Sequence, residues 1–317
     1  MAAGCALESL VTRLLVTGAT GFIGQHLVPQ LLAANHDVAI LLRENYGMGE
    51  PLPPRLATVR PHLQTVYADL RNFNLASRAV REANPERVIH LAAAGVTNPF
   101  LRPEVALRHN LTGTLNLLRA CFEKRTTMRQ ALVARTPGER SAMNVYAASK
   151  AAAWNFCQMY TRTQKWPLIG AMIFQAYGPG QPPQTFVMAA FRAALAGRDF
   201  PMTVGRQQRD WIYVEDVVQG LAAALAADLS PGTTVELGTG RASSLLGVGK
   251  QIYEIVGRGG RPRPGALPER PGEAATQIAD AARTANLLQW QAPTTLEQGL
   301  RALHQHLLQK AHDSQKK

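Results

Sequence analysis

The segment Leu14-Leu-Val-Thr17-Gly18-Ala-Thr-Gly21-Phe-Ile-Gly24 restricts this chain more than any other. A short apolar run of this kind reads as a strand buried on both faces, as in a parallel sheet. The run ends in a glycine turn, and helical periodicity follows from Phe22 to Ala34, with Pro29 as its one blemish. Gly18 and Gly21 allow the backbone to turn tightly and to approach a pyrophosphate, and Gly24 allows the helix to pack closely on the strand. The start of the helix adds free N–H groups and partial positive charge. A glycine triplet alone is a weak signal; a strand, a glycine turn and a helix in that order at the first strand form the context that a dinucleotide cradle needs. Thr20, Phe22 and Ile23 lie in the same turn and are assigned with it to a cofactor.

Strands and helices then alternate. Asp37–Leu42, Leu63–Asp69, Arg87–Ala93, Ala131–Ala134 and Leu168–Phe174 read as strands. Helical stretches run over Leu75–Ala83, Glu104–Glu123 and Val145–Arg162, and a Pro/Gly-rich loop covers Glu44–Pro61. This alternation implies right-handed crossovers and an α/β fold with a doubly wound parallel sheet. After Gly178-Pro-Gly-Gln-Pro-Pro183 the pattern changes to short helices, isolated strands and turns. The expected division is a nucleotide-binding domain over 1–175 and a smaller mixed α/β substrate lobe over 176–317, with some segments returning to the first sheet. A Gly/Pro/Arg-rich loop occupies 258–272, and the polar tail His312–Lys317 is expected to fray.

At 317 residues the chain has ample length for a sizeable core. No apolar run is long enough to span a bilayer, and the start, Met-Ala-Ala-Gly-Cys5, lacks the basic and apolar regions of a secretory signal. Cys5, Cys121 and Cys157 have no metal-ligand spacing, and their odd, patternless occurrence points to reduced thiols in the cytoplasm. His90, His109, His304 and His306 form no ligand set either, so no metal is expected. The formal net charge is +12, but the basic residues are scattered, as in Arg55, Arg60, Arg71, Arg78, Arg81 and Arg87. They read as a solvated basic surface compatible with an anionic small molecule, and not as a nucleic-acid patch.

Cofactor choice is read at the end of the second strand, where an acid would bind the adenosine ribose. Here Leu42 is followed by Arg43, a cation suited to a 2′-phosphate, so NADP is preferred to NAD. Asp69 and Leu70 end the third strand, where they would meet the adenine, and Ala92, Ala93 and Ala94 end the fourth, where small residues permit close approach. Tyr146-Ala-Ala-Ser-Lys150 places a phenol and an ammonium on one face of a helix. A nearby cation favours the phenolate, so this spacing predicts a tyrosine of lowered pKa, able to shuttle protons beside a hydride-transfer site.

These pieces converge on a family. The chain resembles the extended short-chain dehydrogenase/reductases, with a Rossmann domain, and among them the NAD-dependent epimerase/dehydratase group acting on nucleotide sugars. The resemblance runs from about Arg13 to Leu303 and rests on several motifs besides the glycine turn. They are Tyr67-Ala-Asp69-Leu70, His90-Leu-Ala-Ala93, Asn110-Leu-Thr-Gly-Thr-Leu-Asn-Leu-Leu118, Tyr146-Ala-Ala-Ser-Lys150, Ala176-Tyr-Gly-Pro-Gly180, Arg209-Asp-Trp-Ile-Tyr-Val-Glu-Asp216, and Arg270-Pro-Gly-Glu273 with Asp280. The resemblance implies that Tyr146 is the general acid/base at the sugar 4-position and that Lys150 holds the nicotinamide ribose. It implies that Asn110 lies at the cofactor, that Arg209 and Arg270 bind the nucleotide diphosphate, and that the protein is a homodimer built through the Glu104–Glu123 and Val145–Arg162 helices. Asp216 is read as structural, for example as a helix N-cap before Val217.

The chain departs from the family pattern after the fifth strand. The usual Ser/Thr-rich turn is replaced by Ala134-Arg-Thr-Pro-Gly-Glu-Arg-Ser141-Ala-Met-Asn-Val-Tyr146, and the loop is much shorter. Thr136 is the candidate for the missing catalytic hydroxyl and Ser141 the alternative. Gln175 stands where the family has an asparagine beside cofactor and substrate. Thr136-Pro-Gly-Glu139 lacks the Asp-Glu pair of the family's dehydratases, which disfavours elimination and leaves epimerisation or reduction of a 4-keto sugar. A rival reading is a cofactor-binding regulatory or scaffold protein of the same fold with weak or no catalysis.

Overall fold

The structure is a computed structural model that describes residues 11–98, 101–123 and 128–315. Cys5 lies outside the described residues. The strands, in chain order, are β1 (Arg13–Thr17), β2 (Asp37–Leu42), β3 (Gln64–Tyr67), β4 (Arg87–His90), β5 (Gln130–Arg135), β6 (Leu168–Ile173), β7 (Gln175–Tyr177), β8 (Phe200–Pro201), β9 (Gln208–Tyr213), β10 (Thr234–Leu237), β11 (Ala242–Ser244), β12 (Pro262–Arg263) and β13 (Thr276–Gln277). The α-helices are α1 (Gly24–Ala33), α2 (Glu44–Gly47), α3 (Pro54–Ala57), α4 (Phe73–Ala83), α5 (Pro103–Ala106), α6 (Gly113–Phe122), α7 (Val145–Gln164), α8 (Phe186–Leu195), α9 (Val214–Ala226), α10 (Leu245–Val256), α11 (Ala281–Leu288) and α12 (Leu296–Gln315).

A parallel seven-stranded sheet in the order β10-β6-β5-β4-β1-β2-β3 forms the centre. Its strands are apolar on both faces because helices cover both. Side chains alternate across a strand, so Leu14 and Val16 of β1 join Leu27 and Leu31 of α1 on one face. Leu15 joins Leu117 and Leu118 of α6 and Val80 of α4 on the other. Each such leucine, fully removed from water, contributes about 2 kcal/mol. The chain leaves β1 toward β2 and β3, then crosses back to β4, so β1 and β4 flank the point where strand order reverses. Ligands of open α/β sheets bind at the carboxyl ends of strands at such a point.

After β6 the chain builds a second core. Trp211 of β9 packs with Phe191 of α8, Ile252 of α10, and Leu300 and Leu303 of α12. β9 pairs in parallel with β7 and β13 and antiparallel with β11. β10, although it comes late in the sequence, lies beside β6 in the central sheet.

Several boundaries differ from expectation for local reasons. α4 begins at Phe73 because Asn72 caps it, accepting from Asn74 N at 3.0 Å and Leu75 N at 3.2 Å. The helix expected over Glu104–Glu123 is interrupted by a π-helical turn, Leu107–Thr112, which carries Asn110. The loop expected over Glu44–Pro61 contains the short helices α2 and α3. α12 remains helical to Gln315, through most of the tail expected to fray.

Candidate active site

Gly18 adopts φ +73°, and a Cβ there would lie 2.6 Å from Ala92 N and 2.7 Å from Leu91 C. The turn after β1 therefore packs directly on the end of β4 and leaves no room for a side chain. Gly24 packs on the turn itself and not on the strand, since a Cβ there would lie 2.4 Å from Gly18 O and 2.6 Å from Ala19 Cα. Gly21 N donates to Gly18 O at 3.0 Å and closes the turn. Thr20, Phe22 and Ile23 are half-buried around it. A turn this tightly packed, opening a helix at the end of the first strand, fits a dinucleotide pyrophosphate.

A buried relay stands behind the turn. Thr17 Oγ1 is 2.7 Å from His90 Nδ1, and His90 Nε2 is 2.8 Å from Thr114 Oγ1. Thr114 donates its own proton to Asn110 O at 2.6 Å, so His90 carries its proton on Nε2 and accepts from Thr17. Burial, and then the Lys150 charge, push the His90 imidazole down to about 3, so it is neutral. The relay joins β1, β4 and the start of α6, and through Asn110 O it reaches the π-helical turn. Nothing in the spacing of Thr17, His90 and Thr114 announces it.

Asn110 is fully buried. Its Oδ1 accepts from Ala94 N at 2.7 Å, and its Nδ2 donates to Ala94 O at 2.8 Å and to Ser149 Oγ at 2.9 Å. Both amide hydrogens are engaged within the protein, so the Asn110 side chain braces Ala94 against Ser149. Ser149 in turn donates to Tyr146 O at 2.7 Å. Gly95, with φ +97°, packs on Tyr146, whose Cβ would lie 3.3 Å from a Cβ at that glycine. A continuous set of contacts thus runs from Gly18 through Ala92 and Ala94 to Tyr146. Ala92 and Ala94 are half-buried and Ala93 is exposed along this edge.

Tyr146 and Lys150 lie in the first turns of α7, which Asn144 caps by accepting from Ala147 N at 2.8 Å. Lys150 is only 3% exposed. Burial, and then the charge of Glu139, raise the Tyr146 phenol well above its ordinary value. Burial lowers the Lys150 ammonium, against an opposing pull from Glu139. The expectation of a lowered tyrosine is therefore overturned. The charge acting on the phenol is the Glu139 carboxylate, and desolvation outweighs the i, i+4 geometry.

Thr136 sits half-buried where β5 passes into a 3₁₀ turn, Pro137–Arg140. Its N–H donates to Glu139 Oε1 at 2.9 Å. Ser141 is exposed beyond that turn. Gln175 is half-buried at the start of β7, opposite Trp211.

At the other end of the edge, Arg43 is exposed at the N-terminus of α2. The Asp69 carboxylate accepts from Arg71 Nε at 2.8 Å, and this hydrogen bond holds it below the usual carboxylate range. Leu70 O accepts from Asn116 Nδ2 at 2.9 Å. His109 is pushed down by burial and then by Arg71, with Arg43 and Arg108 adding to the effect. Asp69 opposes them, and because it is paired with Arg71, the cations left near the carboxyl ends of β2 and β3 are Arg43 and Arg108.

On β9 Arg209 is 5% exposed. It donates to Gln208 O and Ala274 O at 2.9 Å and pairs with Glu273 Oε1 at 2.8 Å. Arg270 is exposed in the turn just before Glu273. Asp216 accepts from Thr294 N at 3.0 Å and Thr294 Oγ1 at 2.8 Å. It joins α9 to the segment before α12, and the helix is capped instead at Tyr213, which corrects the expected N-cap role. Among the described residues no group of three or more His, Cys, Asp or Glu could hold a metal, and no helix is long and apolar enough to cross a membrane.

Comparison with known proteins extends these observations. The model of the NAD dependent epimerase/dehydratase family matches residues 14–238. The uncharacterized UDP-glucose epimerase YtcB of Bacillus subtilis is 28% identical over 311 residues, covering 91% of this chain and 95% of that protein. A dTDP-glucose 4,6-dehydratase of Neisseria gonorrhoeae is 27% identical over 325 residues, covering 91% of this chain and 93% of that enzyme. The crystal structure of Thermus thermophilus UDP-glucose 4-epimerase in complex with NAD superposes with a TM-score of 0.78 at 27% identity, over 93% of this chain and 99% of that one. Epimerases and dehydratases thus stand side by side among the relatives.

Proposed function

This chain belongs to the NAD-dependent epimerase/dehydratase family, and on that premise we propose that it is an NAD(P)-dependent oxidoreductase acting at C4 of a nucleotide-diphosphate sugar, as an epimerase or a 4-ketoreductase. The observation that carries this reading is the contact path from the glycine cradle at Gly18 to the Tyr146–Lys150 pair. A nicotinamide dinucleotide, when bound, carries the hydride. Tyr146 exchanges the proton at the substrate oxygen, Lys150 holds the nicotinamide ribose, and Thr136 offers its hydroxyl beside the phenol. Gln175 stands near both ligands, and Arg209 and Arg270 face the diphosphate.

Tyr146, raised by burial above an ordinary value of about 10, is a phenol at neutral pH, the form that protonates a keto oxygen in the reductive step of either reaction. Arg43 and Arg108 near His109 support the 2′-phosphate of NADP over NAD, while Arg71 is already held by Asp69. Elimination is disfavoured because Pro137 and Gly138 follow Thr136 and Glu139 is bound to Arg135. The buried thiols of Cys121 and Cys157 fit the reducing cytoplasm. Exposed Leu107 and Phe156, in the π-helical turn and on α7, favour a homodimer through that face. A second reading, a cofactor-binding scaffold with weak or no catalysis, draws on the Arg209–Glu273 pair, which already occupies a diphosphate-binding cation.

Native mass spectrometry and an NADPH oxidation assay test the proposal. Retained NAD with interconversion of UDP-glucose and UDP-galactose identifies an epimerase. An empty site that takes up NADPH and reduces a dTDP-4-keto sugar identifies a reductase. NADPH binding with neither turnover supports the scaffold.

A further inference from the structure

We propose that Glu139 is a positioning residue for the Tyr146–Lys150 pair: its buried carboxylate locks the turn after β5 against the start of α7 and supplies a fixed negative charge to the pair. The Glu139 side chain is 1% exposed and accepts from Arg135 Nη2 at 2.8 Å and from Thr136 N at 2.9 Å. Arg135 is itself fixed, donating to Thr234 Oγ1 at 2.8 Å and lying 4.6 Å over the Trp154 ring of α7. The turn has no slack, because a Cβ at Gly138 would lie 3.2 Å from Ala147 Cβ and from Met143. Glu139 therefore ties Thr136 to Arg135 inside the turn, and the turn so fixed packs on the helix that carries Tyr146 and Lys150, Gly138 against Ala147 and Arg135 against Trp154.

A buried ion pair is a poor way to gain stability, since desolvation offsets most of the attraction and apolar side chains fill the same space as well. Its charge, however, reaches the pair. After burial, Glu139 is the largest influence on Lys150, holding its ammonium up, with Cys157 acting the same way and Arg135 against both. It is also the charge that acts on the Tyr146 phenol. His90, facing Lys150 from β4, is neutral. Near neutral pH the phenol stays protonated, the form that can protonate a ketone oxygen, while the Glu139 carboxylate opposes the loss of the Lys150 proton that burial favours. That catalytic meaning rests on the oxidoreductase reading above; the effect of Glu139 on Lys150 does not.

The test needs neither substrate nor cofactor. The full chain is labelled with ¹³Cε-lysine, the Lys150 resonance is assigned with Lys150→Met, and its titration is followed by NMR. In Glu139→Gln the Lys150 midpoint is expected to fall by about one pH unit, a tenfold loss of proton affinity. Glu139→Asp is expected to restore the midpoint. A Glu139→Gln variant that melts lower while Lys150 titrates unchanged overturns the proposal. If Glu139→Gln does not fold, the apolar pair Arg135→Met with Glu139→Leu carries the test. Its midpoint is expected to fall by less, because the opposing Arg135 charge is also removed, and an unchanged or raised midpoint overturns the proposal.

Discussion

At Gly18 a methyl group is already too much, because φ is +73° and the space is filled by the backbone of Leu91 and Ala92, just after β4. Gly18→Ala is expected to abolish NADPH binding measured by fluorescence quenching. Tyr146→Phe acts differently: turnover is expected to fall about a hundredfold or more with the NADPH dissociation constant unchanged. His90 gives a pH dependence whose sign follows from its folded value of about 3 against 6.5 for the unexcluded side chain. Between these values the unfolded chain binds a proton that the folded one refuses. Stability is therefore expected to fall as pH drops from about 6.5 toward about 3, with His90 contributing up to tenfold in the folding constant per pH unit. Thermal melts across that range, compared with His90→Gln, should show a shallower decline in the variant. At this scale Tyr146 and Lys150 were legible because helical spacing is local. Their charge environment was not, since it depends on Glu139, whose proximity to the pair only folding creates.

The strands of the central sheet were legible as elements because continuous apolar runs and glycine or proline breaks are local signals. Their ends were less so: the strand expected over Leu63–Asp69 pairs with β2 over Gln64–Tyr67 and closes with Ala68 N donating to Leu42 O at 3.0 Å. The π-helical turn in the expected Glu104–Glu123 helix was invisible, because apolar periodicity scarcely registers one extra residue in a turn. Asp216 shows the same limit. Its sequence position suggested a cap, but its partner is Thr294, far along the chain. Thr294→Val leaves that buried carboxylate with the backbone donor alone and is expected to cost about 1–3 kcal/mol, read from the urea unfolding midpoint.

For the molecule as a whole, local ion pairs such as Arg13–Asp37, Arg119–Glu123 and Arg263–Asp199 neutralise some of the basic residues, and the formal charge of +12 is the excess left over. Leu107 at 43% and Phe156 at 41% exposure make the π-helical turn and α7 the expected seam of a homodimer. Light scattering after size exclusion should give about twice the chain mass, falling to the chain mass in Leu107→Glu with Phe156→Glu. The sequence by itself determined the fold class, the glycine cradle and the Tyr146–Lys150 pair, because each is written in residues close along the chain. Tertiary structure alone decided that β10 completes the sheet, that Asn110 braces Ala94 and Ser149, and that Glu139 supplies the charge felt by the phenol. Those depend on which distant groups share a desolvated volume, and burial, which sets the strength of every charge within it, belongs to the folded whole.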